Sequence, residues 1–469
     1  MQRRRIVVLA VGACLVASCS SSPDAGAPTS PTGATAGSTG VETPTGTGAS
    51  EPVTAEGMVE HLEALEAIAE RNDGTRVAGS PGYDASVAYV SGVLRDAGYE
   101  VETMSTAVPF YEIEGPTVLE RISPDPESWT DGVNFRSMLF SPSGDVQARV
   151  TPAGTGCEFS EFAGFPAGDI ALVVPGPCFR RQQATNAQDA GAAAMIGVTL
   201  VADGRPLRPT LVYPEDLEIP LVAVTADLAD ELEGGPTVRI RVEASSSYRP
   251  AESVIAELPA ASDDDVVMLG AHLDSVVDGP GINDNGSGSA LLLETARWLA
   301  GLDPAPPVRF AFWAGEEEGL YGSWDYAHDL APEEREAIDV YLNLDMVGSS
   351  NHVSFVYEAP PNAPRIEQWV AELFTEALAD AGHESEPLDL HGASDHAAFQ
   401  DVGIETGGLY SGSQEQMTRA QSRDYDGDAG EPLDPCYHQP CDTVDNVDPE
   451  ALEIHAAALV EVLTALLLA

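Results

Sequence analysis

The chain has no lysine. All 22 of its basic residues are arginines, set against 76 aspartates and glutamates, for a formal net charge of −54. A surface so short of positive charge repels phosphate backbones and anionic headgroups, which excludes nucleic acid as a partner. The glycine fingerprint GxGxxG and the P-loop lysine are also missing, so Gly286-Ser287-Gly288 is not a phosphate cradle. No CxxC pair occurs, which excludes a cysteine-ligated zinc, and there are no internal repeats.

What is present begins with Arg3, Arg4 and Arg5 ahead of an apolar stretch, 6–16, too short to span a bilayer as a mature anchor. A positive region followed by such a stretch reads as an export signal. It ends in Val16-Ala17-Ser18-Cys19, which resembles the lipobox of bacterial lipoproteins. The resemblance implies cleavage before Cys19, lipidation of its sulfur and attachment to the outer face of the bacterial cell membrane, with release outside the cell as the alternative. Acyl chains would hold the protein there, each buried methylene adding about 0.8 kcal/mol. Residues 20–54 are mostly Ser, Thr, Gly, Pro and Ala, the composition of a tether that cannot build a core. Of six cysteines, Cys14 leaves with the signal and Cys19 is the lipid site. Cys157 with Cys178 and Cys436 with Cys441 remain as two pairs in an exported protein, where disulfides are expected.

The length allows two domains. Val59, Leu62, Leu65 and Ile68 keep helical spacing, and 83–97 does the same before Gly98, a C-cap, so 56–97 reads as two helices around the turn-rich link 75–82. A strand near 99–104 follows. Between 116 and 249 the chain changes to short strands, at 170–174, 193–198, 221–224 and 238–242, with one helix at 183–190. The stretch 156–192, through Gly156-Cys157, Asp169-Ile170-Ala171-Leu172-Val173, Cys178 and Asp189-Ala190-Gly191-Ala192, resembles the protease-associated domain. It holds no catalytic cluster, so a lid, spacer or docking role is expected of it. From 251 onward, strands (266–271, 308–314, 340–344, 353–357) alternate with helices (287–300, 320–330, 364–381, 449–468), the last with Asp448 as N-cap and Pro449 at its first position. That alternation predicts a mostly parallel sheet covered by helices.

The chemistry-bearing residues fall at the ends of those strands. His272 ends the first, Glu316 and Glu317 follow the second, and Asp345 ends the third. Ligands bind beyond the carboxyl ends of such strands, so these groups converge at one edge. Asp284 lies in a Gly-rich loop entering a helix, and His438 lies between the last two cysteines. Buried acids are unfavourable unless something positive neutralises them, so this set points to bound cations and a metallohydrolase. Ser394-Asp395-His396 invites a nucleophilic triad, but three consecutive residues rarely take that geometry. The spacing of Asp424, Asp426 and Asp428 suggests a calcium loop, yet Ala429 replaces the turn glycine and Pro435 the bidentate glutamate, leaving a solvated acidic turn. His61, His328, His352, His383, His391 and His455 read as surface or packing residues.

On these motifs the chain, from 251 to 469 with the helices at 56–104, resembles the secreted bacterial aminopeptidases of the leucyl type that use two zinc ions. The resemblance implies a mixed, mostly parallel α/β sheet sandwiched by helices, with an inserted β-rich protease-associated domain. It divides the chain into a signal (1–18), a tether (19–54), the start of the peptidase domain (55–115), the insertion (116–249) and the catalytic domain (250–469). It also implies one zinc on His272 and Asp345, another on Glu317 and His438, and Asp284 bridging both. Glu316 would be the general base, Tyr437 would hydrogen-bond the developing oxyanion, and Asp274 would fix the ring of His272. The Cys436–Cys441 ring would point Tyr437 and His438 into the site. Family members often carry a separate calcium ion, which this sequence does not place. Where the family commonly reads Gly-Arg-Ser-Asp, this chain has Gly392-Ala393-Ser394-Asp395, which alters the wall of the substrate pocket. The expected activity is removal of bulky apolar N-terminal residues from peptides with a free N-terminus, by a monomer. A carboxypeptidase or glutaminyl cyclase on the same scaffold is disfavoured by scarce arginine and by the full set of five ligands. A non-catalytic peptide-binding surface lipoprotein is disfavoured by the retention of Glu316 and Tyr437.

Overall fold

The fold comes from a computed structural model that describes residues 52–199, 206–258, 265–302, 307–359 and 363–467; the signal, Cys19 and all but the end of the tether lie outside them. The helix Ala55–Glu70 begins where the Thr54 hydroxyl accepts the Gly57 N–H at 3.1 Å, and it buries Met58, Leu62 and Leu65 along one face. The helix Pro81–Asp96 is capped by Ser80 through the Tyr83 N–H. It closes where the N–H groups of Gly98 and Tyr99 reach the carbonyls of Arg95 and Leu94, a Schellman ending. Asp448 caps the last helix, Pro449–Leu467, by accepting the Glu450 N–H at 2.9 Å.

Eight strands form the catalytic sheet: β1 (Glu100–Ile113), β2 (Ala244–Glu257), β3 (Val266–His272), β4 (Val308–Trp313), β5 (Ile338–Leu344), β6 (Phe355–Tyr357), β7 (Glu386–Leu388) and β8 (Thr406–Tyr410). Their order is β1-β2-β4-β3-β5-β8-β6-β7. The central β4, β3, β5 and β8 run parallel, whereas β2 and β6 flank them antiparallel. β3 explains why its sequence reads as an unbroken apolar run. Val267, Leu269 and Ala271 enter one core with the helices Ala55–Glu70, Gly288–Ala300 and Pro449–Leu467, while Val266 and Met268 enter another with Trp313, Tyr341 and Phe399. A strand buried on both faces has no polar side to show.

β8 escapes sequence reading because Gly407 and Gly408 give it little strand propensity. A Cβ on Gly408 would stand 2.2 Å from the Asn343 carbonyl oxygen, so the close approach of β5 demands glycine. β1 is far longer than the sequence suggests. It pairs with β2 over its whole length, from Glu100↔Glu257 to Ile113↔Ala244. Val108 and Ala251 of this ribbon belong to the catalytic core, and Tyr111 and Ala244 to the core of the inserted unit. The insertion therefore hangs on a paired ribbon. Its own eight-stranded sheet has a parallel centre, Gly144–Pro152, Ile170–Val173, Ala194–Thr199 and Leu221–Thr225, with the short strand Phe135–Ser137 at one edge. Cys157 is bonded to Cys178 within it, and Cys436 to Cys441 in the catalytic domain. Among the described residues no helix is long and apolar enough to cross a membrane.

His455 illustrates a packing histidine with a measurable consequence. It is fully buried, its Nδ1 donating to the Val347 carbonyl (2.8 Å) and its Nε2 accepting from the Ser354 hydroxyl (3.1 Å). Burial pushes its pKa down to about 4. Below pH 6.5 the unfolded chain takes a proton that the folded chain refuses, so the folded state loses about 3 kcal/mol from this ring as pH falls towards 4. Denaturant midpoints of the native protein and His455→Gln, compared from pH 7 to 4.5, should show the native protein losing more; parallel loss would refute this.

Candidate metal centre

β3 lies between β4 and β5, so the residues at their carboxyl ends are neighbours. His272 is the last residue of β3, Glu316 and Glu317 lie just beyond β4, and Asp345 immediately follows β5. Asp284 comes from the irregular turn Ile282–Ser287 that feeds the helix Gly288–Ala300, and His438 from the disulfide-closed loop. The fold brings all five expected ligands together. His272, Asp284 and Asp345 place one donor atom each within 4.8 Å of one another, and Asp284, Glu317 and His438 do the same. Asp284 joins the two groups. Its Oδ1 is 3.2 Å from His272 Nε2 and its Oδ2 is 3.1 Å from His438 Nε2. Asp345 Oδ1 stands 3.4 Å from His272 Nε2, Glu317 Oε2 3.1 Å from His438 Nε2, and Glu316 Oε2 4.0 Å from His272 Nε2.

These side chains are poorly balanced by protein partners alone. Glu317 Oε1 and Asp345 Oδ1 are buried and make no hydrogen bond. Burial pushes Glu316 well above the usual carboxylate range, with Asp345 and Glu317 adding to it, and raises Glu317 to about 7. Imidazole nitrogens and carboxylate oxygens in two groups sharing one carboxylate suit a pair of divalent cations, zinc foremost. The residues present fit such a pair.

The surroundings show how each donor is aimed. Ser394 donates to Asp345 Oδ2 at 2.6 Å and accepts from Asn343 Nδ2 at 2.9 Å. It therefore serves Asp345, and the Ser394-Asp395-His396 run forms no triad. Asp274 sits against the His272 ring. The Nδ1 of His272 meets the main-chain carbonyl of Asp274 at 3.2 Å, whereas the carboxylate lies 3.7 Å away. That carboxylate accepts the N–H groups of Gly315 (3.1 Å), Glu316 (3.3 Å) and Glu317 (3.2 Å), so it pins the segment bearing both glutamates. Two buried acids that sequence reading overlooked, Asp434 and Asp442, bracket the disulfide loop. Asp442 accepts the N–H groups of Asn283 (2.8 Å) and Asp284 (3.1 Å), and Asp434 accepts from Asn283 Nδ2 (2.6 Å) and the Cys436 N–H (2.7 Å). They tie the loop of His438 to the turn of Asp284. The Tyr437 ring stacks on His438 with centroids 3.8 Å apart. Burial, with Asp284 and Glu317 adding to it, raises its phenol well above 10 and keeps it a hydrogen-bond donor.

Residues 253–463 match the model of peptidase family M28, and residues 143–232 that of the PA domain. An aminopeptidase of Pseudomonas aeruginosa is 40% identical over 432 residues, covering 86% of this chain and 79% of that protein. The probable lipoprotein aminopeptidase LpqL of Mycobacterium tuberculosis is 36% identical over 429 residues, covering 87% of this chain and 84% of its own length. Among solved structures, a zinc aminopeptidase from Bacillus subtilis superposes with a TM-score of 0.69 at 26% identity, covering 88% of this chain and 95% of that one. The protein belongs to peptidase family M28, a hydrolase of peptide bonds with a PA domain set into its catalytic fold.

Proposed function

We propose that this protein is an exported aminopeptidase that hydrolyses the N-terminal peptide bond of peptides at a centre of two zinc ions. The observation that carries the reading is the single carboxylate of Asp284, whose two oxygens face two separate donor groups. One zinc would be held by His272 and Asp345, the other by Glu317 and His438, with Asp284 between them. Bound there, the ions would polarise the scissile carbonyl and make water a better nucleophile at neutral pH. Glu316 takes the proton of the attacking water at its carboxylate and passes it to the leaving amine. Its position, beside His272 but outside either donor group, supports that role. Tyr437 donates its phenolic hydrogen to the oxyanion, and Asp274 holds the backbone that presents Glu316.

The acids of the centre also suit a free α-amine. An apolar cluster of Met346, Phe355, Tyr357 and Tyr410, with Tyr437 packed against it, begins at the residue after Asp345 and supports a preference for bulky apolar N-terminal side chains. The exposed Ala393 leaves that wall without the arginine common in the family. The lipobox-like Val16-Ala17-Ser18-Cys19, together with the lipoprotein name of the mycobacterial relative, supports attachment to the outer face of the membrane.

The test is release of p-nitroaniline from its leucyl derivative, with and without chelator, beside an N-blocked control. Chelation should abolish release, zinc should restore it, and the blocked substrate should stay intact. Absence of chelator-sensitive release from any free-amine substrate would sink the reading, and cleavage of the blocked control would indicate a different peptidase type.

A further inference from the structure

We infer that the inserted unit built around the PA domain is a working part of the metal centre: Arg136 and Arg208 act through Asp278 as positioning residues for the loops that carry Asp284 and His438. This inference rests on the two-cation reading above.

Arg136 lies on the edge strand Phe135–Ser137 and is 5% exposed. Its Nη1 is 2.6 Å from Asp278 Oδ1, and its Nη2 donates to Gln439 Oε1 at 3.4 Å. Arg208 grips the same carboxylate with two N–H groups, Nε to Oδ2 at 2.8 Å and Nη2 to Oδ1 at 3.0 Å, and is tied back to the Ser137 carbonyl at 2.9 Å. Asp278 belongs to the loop that runs from His272 to Asp284, and Gln439 is the neighbour of His438. One arginine of the inserted unit thus touches both ligand-bearing loops. The loops also touch each other, for a Cβ on Gly279 would stand 2.2 Å from the Gln439 carbonyl oxygen.

The same loop is held from the inside. Arg76, fully buried, donates to the carbonyls of Leu273, Pro280 (2.9 Å) and Gly281 (2.6 Å). Residues 273–281 are therefore fixed between a guanidinium of the catalytic core and two from the inserted unit. Burial alone would raise Asp278, yet Arg208 and Arg136 hold its carboxyl below the usual range. Junctions between domains are usually polar, modest and tolerant of motion. A largely buried carboxylate gripped by two guanidiniums is polar but neither modest nor tolerant of motion, because breaking it strands charge away from water. Metal ligands must keep their geometry to within about 0.5 Å, so a clamp on both ligand loops bears directly on the centre.

The experiment is calorimetric titration of zinc into the metal-stripped full chain, with steady-state kinetics alongside, for the native protein, Arg136→Gln, Arg208→Lys, Asp278→Asn and the double variant Arg136→Gln/Asp278→Asn. In Asp278→Asn at least one binding event should weaken by about 10- to 100-fold, with kcat falling and KM nearly unchanged. The double variant should be no worse than Asp278→Asn, because the groups act as one unit. Should Asp278→Asn fail to fold, Arg136→Gln and the charge-retaining Arg208→Lys carry the same comparison. Native zinc affinities in the folded variants, losses that simply add, or a loss confined to KM would each overturn the inference. A native protein that binds fewer than two zinc ions would instead overturn the two-cation reading, and this inference with it.

Discussion

Asp284→Ala should abolish hydrolysis and strip both metals at once. Each of its carboxylate oxygens faces a different histidine, at 3.2 and 3.1 Å, and among the described residues no other single residue serves both donor groups. The alanine leaves His272 with Asp345 on one side and Glu317 with His438 on the other, two protein donors apiece, too few for a firmly held zinc. Elemental analysis should find well under one zinc per chain, and turnover should fall by at least about 10³-fold, towards the uncatalysed rate. A readout independent of activity exists as well. A ligand that binds only the folded state raises the melting temperature, so chelator should lower that of the native protein and leave Asp284→Ala unmoved. Two zinc ions retained in the variant would refute the bridging role.

Glu316→Gln should separate binding from chemistry. Glutamine keeps the size and one oxygen of the side chain but cannot shuttle a proton. The backbone N–H of residue 316 still reaches Asp274, so the segment should hold its course. Zinc content and KM should stay near native values while kcat falls by about 10²- to 10⁴-fold, the usual range for loss of a general base. Loss of metal in this variant would make Glu316 a ligand. Unchanged kcat would give its proton to another group.

The two variants probe residues that were legible in the sequence for a physical reason. Strands buried on both faces announce themselves as apolar runs, and polar residues placed where the runs stop must lie at the carboxyl edge of the sheet. His272, Glu316, Glu317 and Asp345 could be read that way because β3, β4 and β5 are adjacent and parallel. The helices 56–97 were equally readable, since Val59, Leu62, Leu65 and Ile68 keep helical spacing and Gly98 marks an end locally. Asp434 and Asp442 carried no such mark. In a chain with 76 acids each looks like an ordinary surface residue, and their roles arise from contacts such as Asp442 to Asn283, made 159 residues apart. Asp274 was legible as a partner of the His272 ring, whereas the turn of its carboxylate to the Gly315–Glu317 backbone was not.

By itself the sequence determined which elements form, where they stop, and which donors stand at their ends, because capping, periodicity and strand burial are decided by near neighbours. Only the tertiary structure decided how those donors are aimed. Asp284 facing two histidines, and Arg136 reaching from the inserted sheet to both of their loops, depend on surfaces brought together by packing, where burial turns unremarkable charges into fixed partners.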